Sequence, residues 1–251
     1  MIDQVAADDF YVLLPGVPWD TYVAVTDTLA RYHLRHTYDR GLLEIRRELV
    51  GVLWEDYEEL LRVLGNYSLP HYFDRGTLVM MSPLKSHDWI KSLIARMIEA
   101  MTLSMRIPVQ TIGTTTITSR RSLSGLQPDE AYYIRSEPKV RGSSVFRPDI
   151  DPPPDLALEV DVTRESRQKL NVYATLLIPE VWLHDGSQLQ FLRLARGKYR
   201  STKRSVAFPW LQPADIQLFL DRRGGKNETD LLLDFVRWAR KRRKLYEAES
   251  K

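Results

Sequence analysis

The stretch Pro152–Ala174, PPPDLALEVDVTRESRQKLNVYA, decides how the chain folds. Its middle, Leu156–Val162, is rich in branched and apolar residues, bounded by prolines on one side and a polar turn on the other, which reads as a buried strand. Side chains alternate across a strand, so Leu156, Leu158, Val160 and Val162 share one face and Asp155, Ala157, Glu159 and Asp161 the other. Three carboxylates on one face repel one another and are costly to take out of water. The fold must compensate them.

Outward from this strand, SRQKLNVYATLL reads as a helix stopped near Ile178-Pro179, and EVWLHD, SQLQFLRL and GKYRSTKRS as further strands. Upstream, LVMMSPLKSHDWIKSLIARMIEAMTLSM (78–105) holds a strand that breaks at Pro83 and then a helix from about Ser86 to Met105. Ile90, Leu93, Ile94, Met97 and Met101 form its apolar stripe. PVQTIGTTTITS and QPDEAYYIRS are β-rich. The order helix, three strands, helix, strand predicts an α/β core with a mixed sheet. A last helix, about Glu228 to Ala248, carries the basic run RWARKRRK.

An internal repeat precedes this core. Val17 onward, VPWDTYVAVTDTLARYHLRHTYDRGLLEIRR, matches Val52 onward, VLWEDYEELLRVLGNYSLPHYFDRGTLVMMS. Trp19 and Trp54, Tyr22 and Tyr57, and the two Asp-Arg-Gly triplets recur thirty-five residues apart. Each copy reads as a helix after the Trp, a linker, and a strand turning at Asp-Arg-Gly. The expected organisation is an appendage over 1–51, a degenerate repeat of 52–82; a main domain over 52–222; and a basic C-terminal helix over 223–251. Trp19, Trp54 and Trp182 read as core aromatics.

Composition narrows the function. The 251 residues are 43% hydrophobic and 27% charged, and no run of about 18 apolar residues predicts a membrane span. The acidic N-terminus lacks a secretory leader pattern, and there is no cysteine for a disulfide or thiolate metal site, so a cytoplasmic protein is expected. A net charge of +3 permits nucleic-acid binding without arguing for it.

Pro128 marks a strand start, with Asp129 at its mouth. If that strand and Leu156–Val162 are neighbours, Asp129 lies beside Glu159. Paired carboxylates suit a hard divalent cation, which would relieve the repulsion. A buried salt bridge with a capped turn is the structural alternative. Asp155 is about 13 Å along the strand from Glu159 and too far to share one ion. Asp149, in a proline-rich loop, reads as a turn residue.

Pro128-Asp129, Glu159-Val160-Asp161 and the following Lys169 resemble the PD-(D/E)XK nuclease superfamily, and more closely the Uma family of restriction-endonuclease-like proteins. The matching segments are YFDRGTLVMMSPLKSHDWIKSLI, LQPDEAYYI, PPPDLALEVDVTRES and KLNVYATLLIPEVWL, with Phe208-Pro209. The resemblance implies an endonuclease that hydrolyses nucleic acid, DNA first, using Mg²⁺ or Mn²⁺, and a homodimer by analogy with restriction enzymes. It implies Asp129 and Glu159 as metal-binding carboxylates, the Val160 carbonyl as third ligand and Asp88 as a further one. Lys169, on the helix after the strand, would assist catalysis from one turn before Tyr173. Asp161 stands where the superfamily strand carries its lysine, as a further ligand or a partner of Lys169. Relatives carry an acid where this chain has Val79, and His87 has two readings, a cap or support of the helix start and a contact to substrate. Asp161, Val79 and the short Asp88 favour the alternative of an inactive nuclease-fold module that binds nucleic acid or a protein. Arg240, Lys241, Arg242 and Arg243 are candidate phosphate contacts, against the commoner meaning of such a run, a solvated helix face.

Overall fold

The computed structural model describes residues 11–32, 34–65, 69–81, 88–143, 145–160 and 166–249. The elements in chain order are β1 (Tyr11–Leu14), α1 (Trp19–Leu29), β2 (His36–Asp39), β3 (Leu42–Arg46), β4 (Glu48–Leu49), α2 (Trp54–Val63), β5 (His71–Asp74), β6 (Thr77–Met80) and α3 (Asp88–Ser104). There follow β7 (Gln110–Thr111), β8 (Ile117–Ser119), β9 (Ser124–Leu126), β10 (Glu130–Tyr133), α4 (Glu137–Val140), β11 (Leu156–Val160) and α5 (Ser166–Thr175). Last come β12 (Glu180–His184), β13 (Leu189–Ala195), β14 (Lys198–Ser201), α6 (Pro213–Leu220) and α7 (Glu228–Glu249). Two compact units result: 1–83 with 118–127, and 84–117 with 128–251. No helix among the described residues is long and apolar enough to cross a membrane.

The first unit holds both copies of the repeat, and their backbones match bond for bond. In each, a hairpin closes on an Arg-Gly pair with positive φ at both residues, 47° and 89° at Arg40-Gly41 and 44° and 94° at Arg75-Gly76. That is the tight turn whose twist suits a two-residue hairpin. Val17 N–H donates to Gly41 O and Val52 N–H to Gly76 O, both at 2.9 Å. Tyr22 stacks on Tyr38 at 4.4 Å and Tyr57 on Phe73 at 4.5 Å. The duplication reaches further back than the Trp: Leu14 pairs with Leu43 as Leu49 pairs with Leu78. Each copy is therefore a strand, a helix and a hairpin.

The copies differ in what lies beyond the hairpin. β5 is joined by β9 and then β8 in the sheet β4-β6-β5-β9-β8, whereas the first copy stops at β1-β3-β2. In the extra strand β9, Gly125 lies against the Tyr57 side chain of the second copy. Trp54 is 6% exposed, but Trp19 is 61% exposed and is not a core residue, contrary to the expectation from sequence.

The second unit is built on a six-stranded mixed sheet, β14-β13-β12-β11-β10-β7. β11 and β12 are parallel and the other pairs antiparallel. A parallel pair needs a crossover, and α5 supplies it. Within this sheet the elements follow the predicted order of helix, three strands, helix, strand: α3, then β7, β10 and β11, then α5 and β12. Leu156 and Leu158 face a core shared with Ile90, Leu93 and Met97 of α3 and with Phe219 and Phe235 of α6 and α7. The alternate residues of β11 face α5.

Candidate active site

The register of β10 on β11 is Glu130 to Leu158, Ala131 to Ala157 and Tyr132 to Leu156. One step further sets Asp129 opposite Glu159. Asp129 Oδ2 accepts the Val160 N–H at 2.7 Å, so this carboxylate ties the mouth of β10 to the end of β11. Val160, expected as a ligand through its carbonyl, meets Asp129 through its amide.

Glu159 is 5% exposed. Its Oε1 accepts from the Lys169 ammonium and its Oε2 from the Tyr173 hydroxyl, the latter at 2.6 Å. Lys169 is 4% exposed, and with Val172, Tyr173 and Leu176 it forms the buried stripe of α5. Positions four apart lie one above the other on a helix, so one helical face delivers both partners of Glu159. Among the described residues, the carboxylates of β11 are thus compensated by protein groups. Asp155, at the other end of the face, accepts the N–H of Ile134 at 2.7 Å, the N–H of Ser136 at 2.8 Å and the Ser136 hydroxyl at 3.1 Å. It organises the turn after β10. Asp149 has a positive φ of 58° and is a turn residue, as its proline-rich setting implied.

Burial raises the Glu159 carboxyl from 4.5 to about 7; the neighbouring charge of Asp129 adds to the rise, and Lys169 and Tyr173 oppose it. Tyr173 is held well above its ordinary value, first by burial and then by the charge of Glu159. The site therefore carries a carboxylate whose ionised form is under strain next to a second carboxylate. An added positive charge would relieve it.

This chemistry bears on a cation. Asp129 and Glu159 supply only hard oxygen donors from two strand ends, the donor type that Mg²⁺ and Mn²⁺ take. Among the described residues, no three His, Asp or Glu side chains are grouped to hold a metal ion. Asp161, His87 and the side chain of Asp88 lie outside what the structure describes; Asp88 is the first residue of α3. The two carboxylates fit as a partial donor set, with the Lys169 ammonium supplying the positive charge beside Glu159.

The basic run of α7 belongs to a different surface. α7 packs on α3, on the opposite face of the sheet from Glu159. Arg240 donates to Ser104 O, and Arg243 bonds Glu247 at 2.7 Å while lying 5.1 Å from the Trp210 ring centre. These two hold the helix in place. Arg237, Lys241 and Lys244 join them around a groove of about 610 Å³. Arg242 lies toward Asp215.

Two further acids, one fully buried and one half-buried, are not among the expected site residues. Glu180 accepts from Trp182 Nε1, the Ser205 hydroxyl and the Ala207 N–H, and so anchors the loop before α6. The alternation of EVWLH, which puts Glu180 on the face of Trp182, is the signal that could have found it. Glu130 is half-buried and its carboxyl raised by burial, with Glu99 and Asp129 adding to the rise and Lys91 opposing it.

Comparison with known proteins bears on this geometry. No curated protein matches the chain. Among solved structures, "a putative nuclease belonging to DUF820 from Anabaena variabilis ATCC 29413" aligns with TM-score 0.41 and 15% identity over 52% of this chain and 75% of its own. The family model described as "Uma2: Putative restriction endonuclease" matches residues 54–218.

Proposed function

Because the chain belongs to the Uma2 family, we propose that it is a divalent-metal-dependent endonuclease that hydrolyses phosphodiester bonds of DNA. The observation that carries this reading is the meeting of Asp129, Glu159 and Lys169 at the ends of two adjacent strands. Asp129 and Glu159 would hold Mg²⁺ or Mn²⁺, with Asp161 and Asp88 as the further acids of the resemblance. When bound, such an ion polarises the phosphate and lowers the pKa of water. The protein's own groups do the rest. Asp129, bonded to the Val160 amide, holds the strand ends in register. Tyr173 fixes the orientation of the Glu159 carboxylate. Lys169 keeps an ammonium beside the carboxylates, where it stabilises negative charge developing on a phosphate.

One observation favours a second reading, a module that binds nucleic acid without cutting it. Both oxygens of Glu159 already have protein partners, so the acid is satisfied without an ion. Mn²⁺ titration calorimetry on the wild type, Glu159→Gln and Asp129→Asn separates the two. The nuclease reading expects binding to the wild type that either substitution abolishes, and nicking of plasmid DNA that follows the same pattern. A wild type that binds no Mn²⁺ at millimolar concentration leaves the inactive module.

A further inference from the structure

The unequal ends of the two repeat copies point to a surface of the first unit. β5, in the second copy, has its outer edge paired: the His71 carbonyl accepts from Gln127 N–H, and Arg75 N–H donates to the Leu123 carbonyl, so β9 runs antiparallel along it. The equivalent strand β2 is oriented identically. Arg46 N–H donates to the Arg35 carbonyl just as Met81 N–H donates to the Pro70 carbonyl, which turns those residues toward the inner strand. Residues of a strand alternate in the side to which their backbone bonds point. His36 and Tyr38 therefore present N–H and C=O outward, and among the described residues no strand lies there. Their side chains join Trp19 and Tyr22 in an aromatic surface: Trp19 to Tyr38 at 5.6 Å and Tyr22 to His36 at 5.6 Å between ring centres. In the second repeat the matching residues, Trp54, Tyr57, His71 and Phe73, are buried. An open edge beside exposed aromatics is a template for another strand.

We propose that the occupant is a second copy of this chain, joined through antiparallel pairing of β2 with β2 about a two-fold axis at Thr37. The segment Arg35-His36-Thr37-Tyr38-Asp39 is charge-complementary to itself when laid antiparallel. Arg35 faces the second copy's Asp39, Thr37 faces Thr37, and His36 faces Tyr38; each charged contact occurs twice by symmetry. The backbone agrees, because His36 and Tyr38 are the residues with outward bonding groups and can exchange both bonds with each other. The charges agree as well: Asp39 and Arg40 form a largely exposed ion pair at 3.4 Å, whose carboxylate is open to a further cation, and Arg35 is exposed. Strand β5 of the second repeat lacks this complementarity, with Pro70 in the place of Arg35, and there the partner is β9. Pairing extends β1-β3-β2 into one continuous sheet across two molecules.

The test is sedimentation velocity on the full chain across a dilution series, without metal or nucleic acid, so that it is independent of the nuclease reading. The wild type is expected to dimerise. Arg35→Asp and Asp39→Arg each set like charges opposite one another in two contacts and should raise the dimer Kd about tenfold or more. The double variant restores opposite charges and should recover the dimer. Circular dichroism and thermal unfolding of each variant identify any that fails to fold. Hydrogen exchange on the wild type gives a second readout that needs no substitution: the His36 and Tyr38 amides should gain protection as concentration rises. A wild type that stays monomeric, leaving the edge to another occupant, overturns the proposal. So does a dimer with unchanged Kd in both charge variants, or exchange at His36 and Tyr38 that ignores concentration.

Discussion

Replacing Lys169 by Met tests how the fold tolerates Glu159. The ammonium is one of the two groups that hold the Glu159 carboxyl down to about 7; without it the carboxyl must rise further. A charge left unpaired in the interior costs about 3–5 kcal/mol. The variant has a cheaper course, which is to bind a proton. Each pH unit of proton uptake costs about 1.36 kcal/mol, and the wild-type carboxyl is already protonated below about 7. The added cost at pH 8.5 is then about 2 kcal/mol, below the cost of the bare charge, so proton uptake wins. The sign follows from the same shift. A carboxyl whose folded pKa lies above its unfolded value of 4.5 binds more protons folded than unfolded between the two. Stability thus falls as pH rises from 4.5 to about 7 in the wild type and is level above that; in the variant the fall continues. Thermal unfolding should show little difference at pH 5.5 and a Tm lower by about 4–8 °C at pH 8.5. Adding Glu159→Gln to the variant should remove the pH dependence. An equal loss at both pH values, or a double variant that keeps the slope, would refute this account of the site.

Three further outcomes are expected. Tyr173→Phe removes the hydroxyl bonded to Glu159 and should cost about 1.5–3 kcal/mol at pH 8.5, with the carboxyl rising; urea unfolding at two pH values measures both. Asp155→Ala leaves the amides of Ile134 and Ser136 without their acceptor and should lower stability by about 2–4 kcal/mol at neutral pH without changing Mn²⁺ affinity; an altered metal affinity would place Asp155 in the site after all. Gly125→Ala drives a methyl into the Tyr57 hydroxyl, with Thr118 Cγ2 at 3.0 Å and Tyr57 Cε1 at 3.1 Å, and should destabilise the first unit by about 1–3 kcal/mol, seen as earlier loss of the Tyr57 environment in denaturant.

Local patterns carried most of the fold. The apolar stripe of α3, the alternation of β11 and the thirty-five-residue repeat depend on neighbours within a few residues, and all three are present in the structure. The difference in burial between Trp19 and Trp54 was not legible, because the strands that extend only the second copy's sheet, β8 and β9, arrive more than fifty residues after Trp54. The hairpin turns were marked by Asp-Arg-Gly, but nothing nearby says that 118–127 returns to the first unit. At the site, the pairing of Asp129 with Glu159 followed from two strands being neighbours. The contact of Lys169 with Glu159 depends on how α5 crosses back over β11, which helical spacing alone leaves open. The distinct duties of Asp155 and Asp149 came from proline-rich context and distance, and bonds and φ agree with them.

The late return of residues 118–127 governs how the chain is made. A ribosome releases the first copy complete, since β1, β2 and β3 pair within thirty-five residues. The second copy emerges with the outer edge of β5 bare, and the whole of α3 is synthesised before β9 can close it. During that interval Tyr57 and Phe73 border an unpaired strand, the state in which strands find wrong partners. A fragment cut at residue 83 would be held there permanently, and one cut after Leu126 would close β5 but strip the apolar stripe of α3 of its core, so no single cut releases this unit intact.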